Sequence, residues 1–209
     1  SLRFALSIKD YDITKLQPHF PGYLVFCFLV KAIYLVIGNM GLSFSIVGGI
    51  SIFFIIYYLL RIFSTSLKSY EGRYIALIIF FNPLFWLMSN RYMPDLMGLA
   101  ISLGAIYYLI YAKTQRDHLE KGFFLSGVLA GVRLSYLPLI VFPLLKIFFL
   151  RNKKLNLTKS FFIGVLIWLI PMILLTGLGD LIIMAKKQTS GHFMDFGGTI
   201  LTDQSIVDR

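Results

Sequence analysis

Between residues 42 and 183 the chain is a succession of apolar runs, at about 42–62, 74–88, 96–112, 122–150 and 161–183. Runs of this length are more than a soluble core can absorb. Hydrophobic residues make up 57% of the chain and charged residues 14%, and mean hydropathy is +0.78. Soluble domains carry about 25% charged residues. A helix crossing a bilayer satisfies its backbone internally and needs roughly 20 apolar residues. A transmembrane β-barrel would need alternating apolar and polar positions, which these runs lack. The fold class expected is an all-α polytopic membrane protein.

The run 122–150 is too long for one span. Gly131, Arg133, Pro138 and Pro143 interrupt it, so it reads as a hairpin of two short helices, about 122–132 and 135–150. The expectation is then about six crossings within 42–183. Segment 22–38, "GYLVFCFLVKAIYLVIG", is short and holds Lys31 near its centre, where a charge is costly. It is expected to lie along the surface as an interfacial helix. The loops 61–73, 113–121 and 151–160 then share one face and carry Arg61, Lys68, Arg73, Lys121, Lys154 and Lys159 among others. By the positive-inside rule that face is cytoplasmic. The formal charge of +10 has this source, and no nucleic-acid partner is expected.

The opposite face collects the polar oddities: "LQPHFPGY" at 16–23, "SNRYMPD" at 89–95, the turn at Arg133, and the tail 184–209 with "SGHFMDFGG". Polar groups gathered at one membrane surface define a candidate site. Asp95 follows Pro94 and opens an apolar helix, where a carboxylate caps the helix, holds a cation or an acceptor substrate, or acts as a base. His19 stands between Pro18 and Phe20-Pro21, which would hold its imidazole in a fixed direction for phosphate pairing, metal ligation or proton transfer. A structural role is the plainer alternative. His192 lies between glycines that allow close backbone approach. Arg133 is placed to bind an anionic ligand or to pair with a carboxylate such as Asp95. Lys31 is expected to snorkel to the interface.

Other chemistries find little support. Cys27 is the sole cysteine, so neither an intrachain disulfide nor a thiolate metal cluster can form. There is no P-loop, G-x-S-x-G or H-E-x-x-H, and the three histidines are too scattered for a sequence-local metal motif. No internal repeat suggests an inverted-repeat transporter.

Four pieces, "SLRFALSIKDYDITKLQPHFPGYLVF", "NPLFWLMSNRYMPDLMGLAISLGAIYYL", "GVLAGVRLSYLPLIVFPLL" and "GHFMDFGGT", resemble in order and spacing successive segments of bacterial GT-C class glycosyltransferases. The nearest likeness is to the family 39-like group of protein O-mannosyltransferases and aminoarabinose transferases. The resemblance implies a GT-C-like helix bundle in a bacterial inner membrane, with 1–41 as its first extracytoplasmic loop and 22–38 as a juxtamembrane helix. It also implies a polyprenyl-phosphate sugar donor and transfer to a lipid, protein or glycan acceptor at the non-cytoplasmic face. Asp95 matches the acidic residue that opens a later transmembrane helix in such enzymes, and is the catalytic candidate. His19, Arg133 and His192 are the substrate-binding candidates. No cofactor is required by these residues, although a divalent metal is compatible with the class.

One departure stands out. In relatives sharing the "FAL…QPH-PPGY" pattern, an aspartate lies immediately before the residue matching Ser1, and Asp10 and Asp12 do not match it. The chain opens on Ser1 and closes on a polar tail at Arg209. It is therefore expected to be a fragment, a single partial transmembrane domain whose base lies outside it and which is inactive alone. A transporter or flippase of an anionic lipid is the main alternative, and a noncatalytic membrane scaffold a third.

Overall fold

The computed structural model describes residues 2–111, 116–150 and 154–191. Among them every regular element is helical, and an isolated bridge between Asp12 and Gln17 closes the N-terminal loop. In chain order the helices are α1 (Leu2–Lys9), α2 (Leu24–Ile37), α3 (Met40–Ile62), α4 (Tyr70–Phe81), α5 (Pro83–Ser89) and α6 (Asp95–Ile106). A π-helical turn, Tyr107–Tyr111, extends α6. Then come α7 (Arg116–Val132), a 3-10 turn (Leu134–Tyr136), α8 (Leu137–Leu150), α9 (Lys154–Thr176) and α10 (Leu178–Ser190).

Local chemistry accounts for several of the starts. Asn39 accepts from the Leu42 amide at 3.0 Å, and Ser69 from the Gly72 amide at 3.1 Å. Asn82 accepts from the Leu84 amide at 2.9 Å, with Pro83 at the first helical position. Each cap satisfies an amide that the first turn leaves open.

Among the described residues two helices, α3 and α9, each of 23 residues, are long and apolar enough to cross a membrane. The pair α4 and α5, bent by 54° at Asn82-Pro83, is a third if it forms one broken span. Leu24–Ile37, Asp95–Tyr111 and Leu134–Leu150 are apolar but shorter. At 1.5 Å per residue, α2 reaches only about 21 Å, less than the roughly 30 Å hydrocarbon core. Large apolar side chains also cover the outside of the bundle: Leu174 on α9 is 80% exposed and Phe142 on α8 76%. A helix apolar all round is made for lipid or for a larger core.

Helix direction alternates along the chain, so that α3 and α6 run one way and α7 and α9 the other. At one end Phe44 of α3 stacks on Tyr92 before α6, Gly98 of α6 meets Arg133 after α7, and Met172 of α9 packs with Ile13 and Leu24. At the other end Tyr58 of α3 meets Tyr107 and Tyr108, while Leu109 clusters with Leu119 and Leu157. Helices α7 and α9 meet backbone to backbone. A Cβ on Gly127 would lie 2.2 Å from the Phe161 carbonyl oxygen, and one on Gly164 would lie 2.3 Å from that of Phe124. Trp168 Nε1 donates to the Gly127 carbonyl across the same seam at 3.0 Å. Small residues permit this close approach of two helix backbones.

The hairpin expected around Arg133 is present, with α7 ending at Val132 and α8 opening at Leu137. Residues 2–9, for which the sequence named no element, form α1, which buries Phe4 and Ile8 against α2 and α3. One segment differs from expectation. The run 161–183 is divided: α9 starts earlier, at Lys154, and stops at Thr176, and Gly177 at φ +84° precedes a new helix. Only glycine takes that backbone conformation without steric cost.

Candidate functional site

The site forms where α6 begins and the α7–α8 hairpin turns. Pro94 ends the preceding loop, and Asp95 is the first residue of α6. Its Oδ1 accepts from Arg133 Nη2 at 2.8 Å. Of the alternatives open for Asp95 and Arg133 in the sequence, pairing with each other is the one observed. Gly98, one turn after Asp95, makes room for the partner: a Cβ there would lie 2.7 Å from Arg133 Cβ. The pair is sheltered, with side chains 11% and 23% exposed.

The pairing is incomplete. Asp95 Oδ2 and Arg133 Nε are buried with no hydrogen-bond partner among the described residues. Buried polar groups are almost always satisfied, so each exception needs a reason. One acceptor and one donor are thus left open on the pair, and a hydroxyl group can both donate to the first and accept from the second. The rings of Tyr23 and Tyr136 flank the guanidinium, each at 6.0 Å.

Tyr23 continues the polar chain outward. At φ +47° it takes a left-handed conformation just before α2, and its hydroxyl lies 3.0 Å from His19 Nε2. Phe4 of α1 packs edge-on against both rings, at 5.9 Å from His19 and 5.1 Å from Tyr23. Burial lowers the His19 pKa below its ordinary value, and the nearby charges of Arg3 and Arg133 lower it further. Burial raises that of Tyr23. At neutral pH the two bonded groups are therefore an uncharged imidazole and an uncharged phenol.

His19 then opens on a cleft of about 410 Å³ between the N-terminal segment and α10. Arg3, Lys187 and Gln188 line it with His19, and Phe20 and Met184 form apolar walls. Among the described residues no acidic side chain lines this cleft, and its cations favour an anion. Asp10 and Asp12 are engaged elsewhere, both paired with Lys15, at 3.2 and 3.1 Å. The Thr14 hydroxyl also donates to Asp12, holding that carboxyl below its usual range.

The structure thus brings together three sequence-expected groups, Asp95, Arg133 and His19, in a line completed by Tyr23. His192 lies outside the described residues. Lys31 sits half-buried on α2 and is not among the residues lining the cleft. Sequence reasoning passed over Tyr23, Gly98, Arg3 and Lys187. The available signals were the tyrosine closing "PHFPGY" and a glycine one helical turn beyond Asp95. Arg3 and Lys187 sent none, being surface cations like many others in this chain.

Among the described residues no three His, Cys, Asp or Glu side chains gather as a metal site. The partner of Asp95 is a guanidinium, so this donor set does not fit a divalent ion. No family model, curated protein or solved structure matches the chain.

Proposed function

We propose that the chain belongs to a membrane-embedded glycosyltransferase of the GT-C type. It would cross a bacterial inner membrane about six times and move a sugar from a polyprenyl-phosphate donor to a lipid, protein or glycan acceptor. The observation that carries this reading is the line Asp95–Arg133–Tyr23–His19, which leads from a half-satisfied buried ion pair to a cationic cleft. The resemblance in order and spacing supports it, as does the alternation of helix direction. Arg61, Arg73, Lys121 and Lys154 supply the positive charge expected of a cytoplasmic end, opposite the site.

The reaction divides the work by charge. A base takes the proton of the acceptor hydroxyl or amine; that heteroatom bonds to the anomeric carbon, and the bond to the phosphate oxygen breaks with its electron pair. The phosphate leaves with added negative charge, and stabilising it is the main electrostatic task. Arg3 and Lys187 meet that charge in the cleft, and neutral His19 contributes a hydrogen bond. Asp95 Oδ2 accepts from the acceptor and orients it, while Arg133 holds the carboxylate in place. The deprotonating base is assigned to none of the described residues.

The test uses the full-length protein in proteoliposomes with a panel of polyprenyl-phosphate sugars. Arg3→Gln with Lys187→Gln is expected to raise KM for the donor about tenfold, since each removes a charge-assisted contact. Asp95→Asn should lower kcat per mole of folded protein. Wild-type transfer by that variant would remove Asp95 from the mechanism. Movement of the lipid between leaflets with no sugar transferred would establish the flippase reading instead.

A further inference from the structure

At the end of the bundle remote from Asp95, α3 closes on Tyr57, Tyr58 and Arg61, and α6 passes into its π-helical turn. Such turns are rare and often mark functional positions. Here the turn carries Tyr107 and Tyr108 beside Tyr58, with ring centroids 6.1 and 6.3 Å away. Gly104 gives Tyr58 its seat, since a Cβ there would lie 2.8 Å from Tyr58 Cζ. Two cations stand over this cluster: the Arg61 guanidinium 5.5 Å from the Tyr107 ring, and the Lys121 ammonium 5.9 Å from that of Tyr108. Both residues are exposed, and neither has a carboxylate partner within 4.0 Å among the described residues.

Tyr58 also closes an apolar groove of about 300 Å³ between α2, α3 and α6, walled by Leu29, Ile33, Ile50, Phe54 and Met97. One residue thus joins a hydrocarbon channel to two cations that lie over tyrosine rings and have no carboxylate partner among the described residues. The matching ligand is apolar along its length and anionic at its tip. We propose that this is a binding site for an anionic phospholipid of the surrounding bilayer, with one acyl chain in the groove and the phosphate between Arg61 and Lys121. Tyrosine hydroxyls donate to the remaining phosphate oxygens. The proposal rests on the membrane reading of the bundle and is independent of sugar transfer.

Native mass spectrometry of the full-length protein, offered phosphatidylglycerol or phosphatidylcholine with the same acyl chains, tests this directly. Phosphatidylglycerol should be retained preferentially. The exposed double variant Arg61→Gln/Lys121→Gln should reduce its retention about tenfold, as should Ile50→Trp, which fills the groove from its rim. Lys159→Gln should leave retention unchanged. Equal retention of phosphatidylcholine, unaltered binding in the double variant, or displacement by equimolar polyprenyl phosphate would each overturn the proposal. Because retention is read without any sugar transfer, its failure leaves the transferase reading standing, and the reverse also holds.

Discussion

The two ends of the bundle hold their cations in opposite ways. At one end Arg133 is sheltered, paired with Asp95 at 2.8 Å and flanked by two tyrosines, so its position is set by several contacts at once. At the other, Arg61, Arg73, Lys121 and Lys154 are exposed and lie over aromatic rings, at 4.6 to 5.9 Å from the ring centres. The same charge does different work in the two settings. A sheltered ion pair must be satisfied geometrically or it destabilises the fold, whereas an exposed cation over a ring costs little to move. The first arrangement can specify a reaction geometry, and the second can orient a chain in a membrane and attract an anionic surface.

Removing one member of the sheltered pair should have the largest effect. Asp95→Asn leaves Arg133 without its counter-charge and should destabilise the fold by about 3 kcal/mol, read as a lowered thermal midpoint in detergent. Adding Arg133→Met should recover most of that stability, while the proposed sugar transfer should stay lost. Recovery of both would mean that the pair is structural only. Gly98→Val comes next, because any Cβ at that position collides with Arg133, and overpacking of this kind costs about 2 kcal/mol. Its transfer rate should fall while Gly49→Ala, in open space, has no such effect.

Tyr23→Phe removes only the hydroxyl bonded to His19 and should cost about 1 kcal/mol. The same contact carries a pH signature. Because the folded-state pKa of His19 lies below its ordinary 6.5, the unfolded chain takes up the proton first as pH falls. The stability linked to neutral His19 is therefore complete above pH 6.5 and is lost as pH drops from there towards the folded value. Arg3→Gln should raise the folded pKa towards 6.5 and narrow that window, measured by NMR titration with His19→Gln to assign the signal. An unmoved midpoint would show that Arg3 does not act on His19.

The smallest change is expected at the exposed end. Arg73→Gln removes a cation over Tyr70 and should alter stability by less than about 0.5 kcal/mol. A loss as large as that of Asp95→Asn would erase the contrast between the ends.

The all-helical class, the break at Arg133 and the gathering of polar residues at one end were legible in the residues alone. Each follows from local rules: uninterrupted apolar runs become helices, Gly and Pro beside a charge end them, and basic loops mark one face. The pairing of Asp95 with Arg133 was one of the options the residues left open. Local rules do not reach the remaining features. The division of 161–183 into α9 and α10 depends on one glycine taking a positive φ, and that break carries Lys187 back to Arg3 and His19 to make the cleft. The N-terminal residues are too polar on one side to read as membrane helix, yet α1 forms because α2 and α3 offer Phe4 and Ile8 a core. Tyr23 becomes a bridge only once α2 and the α7–α8 hairpin bring His19 and Arg133 to either side of it. The sequence by itself determined which residues are apolar, charged or able to bend the chain. Tertiary packing decided which lone polar groups became neighbours, because contacts between distant segments depend on how the helices close on one another.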